Sequence, residues 1–277
     1  MIYLNVSIVT YKSDVRQIIR SVNCVIAEST IVNKVYIIDN SPTNQIGSTP
    51  FFSEKIEYIF NNRNLGYGRA HNVALKKSIG CNIGYHLVMN ADVYFDTGLL
   101  TKLLEFMHEN KNIGVVMPKV LYPDGNIQYL CKLLPTPFNL FIRRFGPLRK
   151  VVDKIDMIYE LRFTNYNRIM NVPSLSGCFM LLRVSALKEV GLFDENIFLY
   201  LEDVDLCRRI GQKFKTIYYP SDAFIFHEYE KASYKKTKLL LAHIRSAIYY
   251  FNKWGWFFDS KRREINRTTL LECGYSK

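Results

Sequence analysis

Nowhere in these 277 residues is there a run of the roughly 18 to 20 uninterrupted apolar residues that a bilayer-spanning helix requires, so no spanning segment is expected. The opening stretch, Met1-Ile-Tyr-Leu-Asn-Val-Ser-Ile-Val-Thr10, lacks the basic region and cleavage site of a secretory signal and reads as the first core strand of a cytoplasmic protein. Cysteine is sparse. Cys24, Cys81, Cys131, Cys178, Cys207 and Cys273 show no C-x-x-C spacing, which argues against a zinc site or a disulfide framework and predicts reduced thiols. No G-x-G-x-x-G follows the first apolar run, where Thr10-Tyr-Lys-Ser-Asp14 stands instead. That counts against a nicotinamide dehydrogenase, and a sugar nucleotidylyltransferase would also want glycines there. Internal repeats and low-complexity tracts are missing too.

What is present is a hydrophobic content of 48%, enough for a substantial core in one large domain or two small ones, and a formal net charge of +12. The charge calls for an acidic partner: nucleic acid, anionic lipid or a phosphorylated substrate. Position narrows the choice. Basic residues gather at Arg143-Arg144, Arg149-Lys150, 231–238 and Lys261-Arg262-Arg263, mostly beside aromatic clusters and not in one long tract. Such a pattern suits a solvated basic face or a membrane headgroup region, and no nucleic-acid partner is expected.

Through residue 117, short β-rich runs alternate with helical periodicity, which predicts an α/β unit with a mostly parallel sheet. Strands are expected at 4–10, 34–39, 56–60, 85–90 and 114–117, with helices at 15–27, 68–77 and 98–109. The strand ends carry polar residues (Thr10-Tyr11-Lys12, Asp39-Asn40-Ser41, Asn90-Ala91-Asp92), and ligands of open α/β sheets bind at such ends. Pro123-Asp-Gly125 predicts a hairpin over 119–130. An irregular, aromatic and basic insertion is expected over 131–172, a β-rich run at 174–183, a short helix ending at Gly191 and a helix over 203–210 stopped by Gly211. Asp205 and Arg209, at i,i+4, can pair on its surface. A helical pattern over 235–258 carries an apolar stripe that reads as core or interdomain packing, while Trp254 and Trp256 beside Lys261 keep an interfacial role open.

Two acidic stations stand out: Val88-Met-Asn-Ala-Asp92-Val93, ending an apolar run, and Glu202-Asp203-Val-Asp205, about 110 residues later. A carboxylate at the end of an apolar run is costly unless it is paired or meets a metal. The first station therefore reads as a metal and phosphate site, and the second as a source of proton chemistry beside it. Either could instead be local capping, because Asx residues cap turns and acids suit helix N-termini.

Arranged in order, Val6-Ser-Ile-Val-Thr-Tyr-Lys12, Ile37-Ile-Asp-Asn-Ser41, Asn61-Asn-Arg-Asn-Leu-Gly-Tyr-Gly68 with Asn72, Met89-Asn-Ala-Asp92, Ser176-Gly-Cys-Phe-Met-Leu-Leu-Arg183, Gly191-Leu-Phe-Asp-Glu195, Glu202-Asp-Val-Asp205 and His227 resemble the inverting family-2 glycosyltransferases of GT-A fold. More narrowly, the chain resembles the bacterial rhamnosyltransferase-like members that build surface polysaccharides, O-antigen among them. The resemblance implies a Rossmann-like, mostly parallel sheet with flanking helices. It further implies a nucleotide-sugar-binding half (1–117), an acceptor-binding and catalytic half of the same domain (118–230) and a C-terminal, membrane-proximal helical extension (231–277).

By that resemblance Thr10, Tyr11 and Asp39 contact the nucleoside, and Asn64, Gly66, Arg69 and Asn90 join Asp92 around the nucleotide sugar. Asp92 matches the last acid of the family's D-x-D motif, with Asn90 in place of the first. Asp92 and His227 would hold Mg2+ or Mn2+, the lost charge at Asn90 weakening the site. Asp203 matches the general base, Glu202 would orient the acceptor or Asp203, and Gly177 would line the acceptor or sugar pocket. The function implied is metal-dependent, inverting transfer of rhamnose from dTDP-rhamnose to a polyprenyl-diphosphate-linked glycan by a peripheral protein on the inner face of the cytoplasmic membrane. UDP-galactose or UDP-glucose are alternative donors. A non-catalytic basic module that binds membrane surfaces explains the charge but not the ordered acids.

Overall fold

The computed structural model describes residues 3–44, 46–47, 49, 53–145, 149–228 and 237–275. In chain order the first half holds strand β1 (Leu4–Thr10), helix α1 (Val15–Ile26), β2 (Val32–Asp39), β3 (Ile56–Phe60), α2 (Tyr67–Gly80), β4 (Tyr85–Asn90), β5 (Val93–Phe95), α3 (Leu99–Glu109) and β6 (Ile113–Leu121). The second half holds α4 (Pro137–Phe145), α5 (Arg149–Tyr159), β7 (Met170–Asn171), β8 (Phe179–Arg183), α6 (Val184–Val190), α7 (Glu202–Ile210), β9 (Lys215–His227), α8 (Thr237–Trp254) and α9 (Ser260–Glu272).

The strands form one sheet in the order β3-β2-β1-β4-β8-β6-β9-β5, with β7 on β9. Pairing is parallel among β3, β2, β1 and β4 and between β6 and β9; β8, β5 and β7 pair antiparallel. β1 lies inside with both faces covered, which is why Leu4, Val6 and Ile8 are fully buried and the alternate Asn5 and Ser7 are as well. Those two polar residues are satisfied through Ser78, His71 and His86. Helix α1 starts where Asp14 accepts from the Arg16 N–H at 2.9 Å, and Ile18, Val22 and Val25 turn one stripe to the sheet.

Beyond β6 the local pattern was a weaker guide. The turn at Pro123-Asp-Gly125 is present, with the Tyr122 N–H donating to Asn126, but only Leu121 and Ile127 bridge after it, so no second strand forms. The segment expected to be irregular contains α4 and α5, and the β run expected over 174–183 begins only at Phe179. Asp205 and Arg209 do pair, at 2.9 Å, but Asp205 is fully buried under α8. In α8 only Ser246, Tyr250 and Phe251 are buried; Phe251 of the expected packing stripe is among them, while Ile244 and Ile248 of that stripe face outward. Helix α9 lies within the 231–277 extension expected to be helical, beyond the pattern read over 235–258. Arg262 is buried in it, donating to the carbonyls of Pro135, Gly255 and Trp256, so Lys261-Arg262-Arg263 is not a uniform basic face. Segment 231–236 and the side chains of Arg144 and Arg149 lie outside the described residues. Among the described residues, no helix is long and apolar enough to cross a membrane.

Candidate active site

The parallel register sets the carboxyl ends of β2, β1 and β4 side by side, with Thr10 opposite Asp39 and Val9 opposite Asn90. Thr10 is buried and its hydroxyl has no hydrogen-bond partner among the described residues. Asp39 accepts from the Ser41 N–H at 2.8 Å and from the Tyr58 hydroxyl at 2.7 Å, which makes it the Asx turn that its sequence allowed and also a fixed carboxylate at the sheet edge. Tyr11 is exposed beside it, with the Lys12 ammonium 5.7 Å from its ring centre.

On the next loop Asn64 accepts from the Gly66 N–H at 2.9 Å, and Asn40 donates to the Gly66 carbonyl at 3.1 Å. Gly66 enters α2 with φ of 85°, and a Cβ there would fall 2.3 Å from the Phe198 carbonyl oxygen. Only glycine fits. Gly66→Ala is expected to lower the unfolding free energy by about 1–3 kcal/mol in urea titration, since it adds left-handed strain and forces the Phe198 loop outward. Arg69, in contrast, turns to the surface and pairs with Glu195 at 3.3 Å.

The first acidic station comes together through β9. His227 pairs in register with Val93, which brings its Nε2 to 3.4 Å from Asp92 Oδ1 and 3.2 Å from the Asn90 side-chain amide. Burial opposes charging this ring, but the Cys178 sulfur and the Asp92 carboxylate outweigh it and raise the pKa to about 10. The Tyr67 hydroxyl donates to the Gly177 carbonyl at 2.5 Å and lies 3.0 Å from the Asn90 amide. Its one hydrogen is spent on Gly177, so Asn90 is best satisfied with its nitrogen donating to Tyr67 and its oxygen turned toward His227.

The second station sits at the start of α7. Tyr200 and Leu201, which precede it, both have φ of 68°, an uncommon conformation for such residues and one that a fold retains only under strong local constraint. Asp203 accepts from the Gly177 N–H at 2.9 Å and from the Val204 N–H at 2.8 Å, so both carboxylate oxygens are oriented. Burial raises its pKa, opposed by those two N–H groups and by the Lys132 ammonium. Glu202 is raised well above the carboxylate range by burial and by the charge of Asp203, and its Oε2 is buried without a hydrogen bond. Asp203 therefore ionises first. Both acids open onto a cavity of about 1100 Å³ whose wall also includes Asn90, His227, Gly177 and Lys132. Thr10, Tyr11, Asp39, Asn64, Gly66, Arg69 and Asp92 are not part of that wall.

The sequence profile of glycosyl transferase family 2 matches residues 6–191, from β1 to the end of α6. The chain belongs to that family. It is similar to the N-acetylglucosaminyl-diphospho-decaprenol L-rhamnosyltransferase of Mycobacterium tuberculosis, 28% identical over 70% of this chain and 66% of the relative. It is also similar to the low-salt glycan biosynthesis hexosyltransferase Agl10 of Haloferax volcanii, 23% identical over 74% of this chain and 61% of the relative. The matches thus span less than two thirds of either relative. Among solved structures, GalNAc-T7 with UDP, GalNAc and Mn2+ superposes with a TM-score of 0.62 at 14% identity, over 83% of this chain and 44% of that one. TarS of S. aureus superposes with a TM-score of 0.58 at 17% identity, over 97% of this chain and 43% of that one. The fold is that of the GT-A glycosyltransferases.

The donors offered by this family-2 glycosyltransferase fit a divalent cation. One carboxylate, one imidazole and one amide oxygen form a partial shell that suits Mg2+ or Mn2+ when diphosphate oxygens and water complete it. Among the described residues no group of three His, Cys, Asp or Glu could hold a metal without such help. The profile ends before Glu202 and Asp203, which enter the site through geometry. Among the wall residues that escaped the sequence are Tyr67, Gln128 and Lys132. Tyr67 lay within a matched motif, but nothing local pointed to the other two.

Proposed function

We propose that this glycosyltransferase moves rhamnose from dTDP-rhamnose to a polyprenyl-diphosphate-linked glycan of a surface polysaccharide, O-antigen-like, with inversion at the anomeric carbon. The observation that carries the reading is the single cavity whose wall holds His227 and Asn90 at one station and Asp203 at the other. Direct displacement requires this arrangement: a place for the donor diphosphate and, within reach, a carboxylate for the acceptor hydroxyl. Asp203 takes the proton of that hydroxyl as its oxygen attacks the anomeric carbon and the bond to the diphosphate breaks. Glu202, keeping its own proton, orients the acceptor. Thr10, Tyr11 and Asp39 hold the nucleoside at the sheet edge, with Asn64 and Gly66 shaping the loop beside it and Gly177 backing Asp203. Arg69 reaches a phosphate only by leaving Glu195.

Asp92 and His227, with the Asn90 oxygen, would hold Mg2+ or Mn2+, which when bound neutralises charge developing on the departing diphosphate. The choice of sugar and lipid acceptor is supported by the mycobacterial relative, named as a rhamnosyltransferase acting on a diphospho-decaprenol. Lys132 has no ion-pair partner among the described residues and lines the same cavity, so it is the cation that an acceptor diphosphate would meet. Peripheral contact with the cytoplasmic membrane face is supported by exposed Phe138, Leu241, Ile244, Phe257 and Phe258, and by exposed Lys238, Arg245, Lys261 and Arg263.

The test is release of nucleoside diphosphate from dTDP-rhamnose, UDP-galactose and UDP-glucose with a lipid-linked glycan acceptor, in Mn2+, Mg2+ or EDTA. Selective turnover of dTDP-rhamnose, at least tenfold lower in EDTA, is expected. Preference for a uridine donor would overturn the sugar and keep the mechanism. Silence with every donor, alongside binding to anionic vesicles, would replace the enzyme with a membrane-surface module.

A further inference from the structure

His227 is gripped at two points by one side chain. Gln128, almost fully buried, lies 2.9 Å from His227 Nδ1 through its Oε1, while its Nε2 donates to the His227 carbonyl at 2.7 Å. The Leu121 carbonyl lies 3.4 Å from that same Nε2. Both carbonyls are pure acceptors, so the amide of Gln128 has only one satisfactory orientation, with its oxygen toward the ring. An oxygen facing Nδ1 requires a hydrogen on Nδ1. The proton that can be exchanged, or replaced by a cation, is then on Nε2, the nitrogen that faces Asp92 Oδ1 and the Asn90 amide. Gln128 is itself anchored, its N–H donating to the Val120 carbonyl at 2.9 Å across the turn that follows β6.

We propose that Gln128 is a positioning residue that holds His227 with Nδ1 protonated and Nε2 presented to Asp92, and so sets the affinity of the site for a divalent cation. The inference rests on the metal reading given above. Outer partners of this kind fix ring orientation and ligand basicity, and their loss typically lowers metal affinity by about 10–100-fold.

The experiment measures Mn2+ binding by the electron paramagnetic resonance of the free ion, with and without nucleoside diphosphate, and transfer as a function of Mn2+ concentration. The proteins compared are wild type, Gln128→Met and Gln128→Glu. Methionine keeps the volume but removes the acceptor, and glutamate keeps an oxygen for Nδ1. Gln128→Met is expected to weaken Mn2+ binding about 10–100-fold, with kcat returning toward wild type at saturating Mn2+. Its spectrum is also expected to lose the slowly exchanging Nδ1–H proton resonance of His227. Gln128→Glu is expected to bind Mn2+ more tightly than Gln128→Met, even where its thermal midpoint falls because the second oxygen faces two carbonyls. Wild-type Mn2+ affinity in Gln128→Met, or equal losses in the two variants, would overturn the proposal alone. A wild type that binds no Mn2+, even with nucleotide, overturns the metal reading and this inference with it.

Discussion

Asp203→Asn is expected to lower sugar transfer by about 10²–10⁴-fold, the range for removal of a positioned general base. The amide oxygen can still accept from one of the two N–H groups that Asp203 now satisfies, those of Gly177 and Val204, so α7 keeps its start while the basic oxygen is lost. Far-UV circular dichroism and Mn2+ binding should therefore be near wild type, and the loss should fall on kcat. Glu202→Gln tests the division of roles. Because burial and the neighbouring charge hold Glu202 in its protonated form, its neutral isostere should cost far less than Asp203→Asn. Transfer within tenfold of wild type in Asp203→Asn would remove Asp203 as the base, and a larger loss in Glu202→Gln would move that role one residue back.

Asp205→Ala should be the most destabilising single change near the site, lowering the unfolding free energy by about 3–5 kcal/mol in urea titration. Asp205 is fully buried and accepts from the Arg209 Nε at 2.9 Å, the Trp254 indole N–H at 2.8 Å and the Lys253 ammonium at 2.8 Å. Removing its carboxylate leaves the Trp254 indole N–H without an acceptor, leaves Arg209 only the neutral carbonyls of Val190, Gly191 and Leu192, and takes one of the two counter-charges from Lys253. It is such undercompensated partners that make the loss large. Trp254 fluorescence should report the change. A loss under 1 kcal/mol would mean that Lys253, which also pairs with Asp194 at 2.7 Å, takes up the slack.

What could be read from the sequence was what neighbouring residues decide. β1, β3 and β4 occupy the expected residues, because alternating apolar runs between turn-forming polar residues suffice to mark a strand. The pairing of Asp205 with Arg209 was legible from i,i+4 spacing, but its burial was not, since α8 covers it from about 50 residues away. Gln128 carried no local signal at all: its partner is 99 residues distant, and only the register of β6 with β9 brings the two together. The helices α4 and α5 were hidden by prolines and mixed aromatic content that read as loop. Residue types at the ends of β4 and at the start of α7 announced the chemistry, while the shell that orients them came from topology.

The grip of α8 on Asp205 also orders events during synthesis. Trp254 follows Asp205 by 49 residues, so on a ribosome working at roughly 5–20 residues per second the carboxylate emerges about 2–10 s before its indole partner exists. Through that interval Asp205 has Arg209 but neither Lys253 nor Trp254. A chain that stops short of Lys253 and Trp254 would hold both acidic stations with Asp205 paired to Arg209 alone, so the support beneath the second station is complete only once this segment has been made.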